Sequence, residues 1–198
     1  MKVIHRILLL VVLIAIIDSC TKTETKTTSS AADAAGILLA GTAGSSKSWL
    51  INSISETQEG VLAFTITAAD DIIPCETDNI FIFSNNAAQA YQQTEGANTC
   101  TIGDLSPVES GNWAFTADGK SLFIDASTNV TDTQIQTEGY DPGSGYYLLY
   151  FFLSIGQPLT VTQLTSTSMT VTYSGTFEDS VSHATIHFTD TIVFTAKN

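Results

Sequence analysis

From about residue 48 onward, apolar and polar side chains alternate in short runs. This is the period of two that turns one face of a strand inward and the other to water. Trp49-Leu50-Ile51 opens such a run, and Gly60 separates it from VLAFTITA, where Leu62, Phe64 and Ile66 alternate with Ala63, Thr65 and Thr67. After an Asp70-Asp71 turn, Asn79–Phe83 and Ala87–Gln93 flank Asn85-Asn86, a pair suited to the positive φ of a tight hairpin turn. Gly111–Ala117 and Lys120–Ala126 flank Asp118-Gly119, the strongest hairpin signal in the chain. Leu159–Thr165 and Met169–Ser174 pair across another polar turn. The last strand, Ala184–Ala196, sets Ile186, Phe188, Asp190, Ile192 and Phe194 against threonines and His187. No stretch beyond the leader shows helical periodicity. Strands recurring every ten residues or so, joined by hairpins, predict an all-β fold: an antiparallel, up-and-down β-barrel of about eight strands, with one or two extra.

Two stretches break the pattern. Residues 128–145 are polar, with Asp141-Pro142-Gly143 as a turn. They lead into YYLLYFFLSI, Tyr146–Ile155, apolar on both faces. A run of that kind is either a strand covered on both sides or a surface for a ligand, a membrane or a partner.

The N-terminus reads as an export signal: MKVIHR, eleven apolar residues from Ile7 to Ile17, then Asp18-Ser19-Cys20. Eleven residues fall short of the roughly twenty needed to cross a bilayer. Ile17-x-Ser19-Cys20 resembles the lipobox of bacterial lipoproteins, which makes Cys20 the expected lipid-attachment site; the alternative is ordinary cleavage beside a stray thiol. Three cysteines in an exported chain leave one odd, and Cys20 is placed to use it. The other two, Cys75 and Cys100, lie just outside the strands of the Asn85-Asn86 hairpin. Its closure brings them together for a disulfide in an oxidising compartment, the alternative being two free buried thiols. The expected organisation is a signal peptide over 1–19, a flexible Thr/Ser/Ala/Gly-rich tether over 20–47 with Ile37-Leu38-Leu39 able to dock, and a barrel over 48–198. The address that follows is the cell envelope, as an outer-membrane lipoprotein facing the periplasm or the cell surface.

Charge narrows the partners. A formal net charge of −13 repels a phosphate polymer, so nucleic acid is not an expected ligand. Loss of Lys2, Arg6 and Asp18 with the leader makes the remainder one unit more acidic.

Cys75-x-x-Asp78-Asn79-x-Phe81-x-Phe83, Gly96-x-x-x-Cys100, Gly111-x-Trp113-x-Phe115 with Asp118-Gly119, and Leu164-Thr165 together resemble the lipocalin-like domain of Gram-negative bacterial lipoproteins. The resemblance covers roughly Ser48 to Lys197, with Trp49 where that family starts its first strand. It implies a small eight-stranded barrel, lipid-anchored and exported. It carries over no reaction and no functional residue.

Reactive chemistry is sparse. The chain has no H-E-x-x-H, G-x-S-x-G, Walker loop or dinucleotide fingerprint. His183 and His187 share a strand face but sit about 13 Å apart at roughly 3.3 Å per residue, too far to hold one zinc ion, and are expected to face solvent. No catalytic residue, metal site or cofactor is expected. Asp190 falls on the apolar face of its strand, where a carboxylate titrates high unless paired; a β-bulge turning it outward or a hydroxyl partner is the expected resolution. Large inward residues are abundant: Phe64, Phe81, Phe83, Trp113, Phe115, Tyr173 and Phe188 are the candidate ligand-binding set, with Phe194 beside them. They line a mouth for a small apolar or amphipathic ligand or simply fill the core. The alternative function is a structural subunit of an envelope complex that contacts a partner through Tyr146–Ile155.

Overall fold

The computed structural model describes residues 29–67, 78–97, 107–128, 158–179 and 182–197. Its spine is β1 (Ser46–Gln58), thirteen residues long and hydrogen bonded along both edges. The strands that follow are β2 (Val61–Thr67), β3 (Ile80–Ser84), β4 (Ala90–Thr94), β5 (Glu109–Phe115), β6 (Ser121–Thr128), β7 (Leu159–Leu164), β8 (Ser168–Glu178) and β9 (Thr185–Ala196). All neighbours are antiparallel, and β1 pairs with β9 from Trp49↔Ala196 to Gln58↔Phe188. That pairing closes β1 and β3 to β9 into an eight-stranded barrel. β2 is the extra strand. It pairs with the second half of β1 on the edge whose first half is taken by β3, so β2, β1, β9 and β8 run on past the ring as an arm.

The two ends of the barrel differ in how they are finished. At one end the turns β3–β4, β5–β6 and β7–β8 gather around a helix, α1 (Ala31–Ala40). This corrects the sequence reading, which found no helix and placed 31–40 in the tether. The helix forms because Ser30 caps it, accepting the Asp33 N–H at 3.0 Å while Asp33 accepts the Ser30 N–H at 3.1 Å. Alanines fill its turns, and Gly41, at φ 86°, ends it. Buried Leu39 and Ala40 join the core. Gly36 lies against Trp113: a Cβ there would stand 3.3 Å from the indole, a tight fit that lets the helix sit close on the ring. The Trp49 indole N–H donates to the Leu39 carbonyl at 2.8 Å, and Lys47 Nζ donates to the Leu38 carbonyl at 3.0 Å.

The Asp118-Gly119 turn forms as expected, with Gly119 at φ 69° and Asp118 accepting the Lys120 N–H at 3.1 Å. The Asn85-Asn86 turn is wider than expected, and its positive φ falls on Gln89 rather than on the asparagines. Asn86 Oδ1 accepts the N–H groups of Ala88 and Ala90, while Asn85 Nδ2 donates to the Gly41 carbonyl and ties the turn to the helix.

Candidate functional site

The interior divides by level. Near α1 it is filled by Trp49, Phe83, Trp113, Leu122, Met169 and Phe194, all buried. Rings meet across it: Phe83 and Trp113 at 6.4 Å, and Phe81 of β3 against Phe194 of β9 at 5.5 Å. Small barrels are filled by side chains in this way, and ring packing adds to area burial. Of the expected ligand-binding residues, Phe81, Phe83 and Trp113 therefore sit in the packed half, with Phe115 partly buried beside Trp113 at 6.0 Å. Tyr173 and Phe188 lie toward the other end, ring to ring at 5.7 Å and only half-buried. Gly175 of β8 lets that pair approach: a Cβ there would lie 2.7 Å from the Phe188 ring. Phe64 belongs to β2, opposite Glu56 in register.

Away from the helix the inward positions turn polar. Gln93 and Glu109 are register partners on β4 and β5, on the same strand faces as Tyr91 and Trp113, and Asn79 precedes Phe81 by two. Exposure is 0 % at Glu109, 1 % at Gln93 and 3 % at Asn79. Tyr91 Oη donates to Glu109 Oε2 at 3.0 Å. Glu109 Oε1, Gln93 Oε1 and Asn79 Oδ1 are buried without a hydrogen-bond partner. Burial pushes the Glu109 carboxyl up to about 7 against the opposing pull of the Tyr91 hydrogen bond. The tyrosine in turn is raised well above its ordinary value, first by burial and then by the Glu109 charge.

A second acid group faces inward from the other wall. Asp190 pairs in register with Glu56 of β1 on one side and Tyr173 of β8 on the other. Burial, then the Glu56 charge and a hydrogen bond to that carboxyl, raise Asp190 to about 7. Two hydrogen-bonded carboxyls share a proton, and Gln58 Nε2 donates to Glu56 Oε1 at 2.7 Å. The alternation reading of Asp190 therefore holds, but the expected resolution does not. Asp190 is buried rather than turned outward, and its partner is a second acid.

His183 and His187 are exposed, as expected; His183 Nδ1 lies 2.9 Å from Glu178 Oε1. Among the described residues no group of His, Cys, Asp and Glu is arranged to hold a metal ion. Cys20, Cys75, Cys100, the Asp70-Asp71 turn and Tyr146–Ile155 lie outside the described residues. The flanks of the two hairpin cysteines do converge: Ile80 pairs with Thr94, and the Ala97 N–H donates to Asp78 Oδ2 at 2.6 Å.

Glu56, Gln93 and Glu109 were not singled out from the sequence. The signal was parity: Glu109 stands four residues before Trp113 and Gln93 two after Tyr91, so strict alternation turns each inward. Glu56 was harder to see, because a register shift between Ile51 and Ser53 flips the parity counted from Trp49.

No family model matches this chain, and no curated protein matches it either.

Proposed function

We propose that the chain is a lipid-anchored, exported binding protein that takes one small apolar or amphipathic molecule into the mouth of its barrel. The asymmetry of the interior carries this reading: one end is sealed by helix and aromatic rings, the other presents half-exposed Tyr173 and Phe188 above inward acids and amides. An eight-stranded barrel has room for one small ligand where its interior is not packed, and convergent polar groups in an apolar wall orient such a ligand. Export and anchoring are supported by the basic and apolar leader and by Cys20 in its lipobox-like setting. The resemblance to lipocalin-like lipoproteins supports the same address, and the reading assigns the protein no reaction and no cofactor.

Trp49 and Trp113 both lie in the packed half, so an added dye reports occupancy better than intrinsic emission. Titration with N-phenyl-1-naphthylamine is expected to give saturable fluorescence at one dye per barrel, weakened by Phe188→Asp. A flat titration would count against the reading.

One observation favours a second reading, a surface for a protein partner. Val61 and Leu62 on the arm are 70 % and 62 % exposed, on a strand that pairs with β1 alone among the described strands. Purification of an oligomer or complex that Leu62→Lys dissolves would support it. A monomer unchanged by Leu62→Lys would remove it.

A further inference from the structure

The unpartnered atoms inside the mouth are all of one kind. Glu109 Oε1, Gln93 Oε1 and Asn79 Oδ1 are acceptors, each buried and each on the inner face of neighbouring strands. Gln93 and Glu109 are direct cross-strand partners, and Asn79, just before β3 and two residues from Phe81, the partner of Gln93, lies diagonally from Gln93. Direct partners stand about 5 Å apart at Cβ and diagonal ones about 7–8 Å, a spacing that one group with several donors can bridge. A buried acceptor left unmade carries the full cost of its lost water, so three together form a site short of donors.

The distribution of charge says what kind of donor fits. Every Lys and Arg beyond residue 26 is at the helix end: Lys47 near the start of β1, Lys120 in the β5–β6 turn and Lys197 after β9. Among the described residues the opposite end carries Glu56, Asp78, Glu95, Glu109 and Asp190 and no Lys or Arg. The strands that carry the site continue this bias: Tyr91 on β4 donates to Glu109, and Asp78 and Glu95 stand just beyond the ends of β3 and β4, while Glu56 and Asp190 pair on β1 and β9. A carboxylate ligand would meet repulsion from the ionised groups among them and bring further acceptors to three oxygens that already lack donors. An alkylammonium brings three N–H donors and a positive charge.

We propose that the barrel binds amphipathic primary amines, the ammonium donating to Glu109, Gln93 and Asn79 and the apolar body lying toward Tyr173 and Phe188. The assignment rests on the reading of the barrel as a binding module and names its ligand class. It also fixes a proton count. Glu109 is largely protonated near pH 6, so an ammonium that pairs with its carboxylate displaces that proton; near pH 8.5 none remains to displace.

The test is competition of octylamine, octanol and octanoate against N-phenyl-1-naphthylamine. Calorimetry of octylamine near pH 6, in two buffers of different ionisation heat, then counts protons. Octylamine is expected to bind about tenfold or more tighter than octanol, with octanoate weakest and with proton release near pH 6 that fades by pH 8.5. Glu109→Gln, which keeps an acceptor and removes the charge, is expected to erase both the amine preference and the proton release while octanol still binds. Equal binding of octylamine and octanol, stronger binding of octanoate, or displacement of the dye by calcium chloride would overturn the amine assignment and leave the binding module standing. Binding of neither dye nor any octyl compound would overturn both.

Discussion

The two halves of this barrel are built from the same strands and reach opposite states. Beside α1 each strand contributes a large apolar side chain to a closed interior, and the indole N–H groups find backbone carbonyls, Trp49 at Leu39 and Trp113 at Ser84. A few residues along those strands the inward side chains become Glu109, Gln93, Asn79, Glu56 and Asp190, and buried oxygens go without partners. A fold held by the first half can carry the second, because a barrel closed by β1–β9 and plugged at one end does not need dense packing at the other. The lesson is a contrast along the barrel axis: apolar packing at the helix end, inward acids and amides at the other.

Substitutions that strike the packed half should be the most damaging. Trp113→Ala and Trp49→Ala are each expected to lower unfolding free energy by about 3–5 kcal/mol, whereas Phe188→Ala at the mouth should cost much less. Urea denaturation followed by circular dichroism measures all three. Comparable losses at Trp113 and Phe188 would erase the contrast.

The next effect concerns the hairpin between the halves. The Asp78–Ala97 hydrogen bond leaves two residues on each side between it and Cys75 and Cys100, and a disulfide there is expected to add about 3 kcal/mol on the chain-entropy model. Mass mapping under non-reducing conditions should find the linked peptides, and reduction should lower the melting temperature. Two alkylatable thiols in the native protein would contradict this.

The mouth should also betray itself in the pH dependence of stability. The folded state raises Glu109 from 4.5 to about 7, so above pH 4.5 it holds a proton that the unfolded chain has lost. Stability therefore falls as pH rises from about 4.5 to about 7 and then levels off, by at most about 3 kcal/mol from this group. Asp190 acts in the same direction. Melts from pH 5 to 8 should show the decline, and Glu109→Gln should lessen it, leaving the share of Asp190. The smallest expected effect lies at the helix: Ser30→Ala removes the cap and should cost about 1 kcal/mol, read from the same urea curves.

Much of this division was written in the chain, though not evenly. The strands were legible because a period of two leaves a strong mark, and both the last strand, down to Ala196, and the Asp118-Gly119 hairpin fall where the alternation puts them. The helix was not, because AADAAGILLA has no apolar stripe against a polar one. Its evidence was the Ser30-x-x-Asp33 start and the Gly41 stop, and its stability comes from docking on Trp49 and Trp113, which no local window contains. The inward acids were half legible. Asp190 stood out among Phe188 and Ile192. Glu109 follows a stretch with no regular alternation, and only counting back from Trp113 reveals it. Its pairing with Gln93 is a product of register, which hairpin closure decides rather than composition.

The central claim is that the end away from the helix holds protonated acids turned inward. Carbon-detected NMR titration of side-chain carboxyls in the intact protein tests it most directly. The account predicts that Glu109 and Asp190 both titrate near 7. Glu109 and Asp190 both titrating below 5 would contradict it.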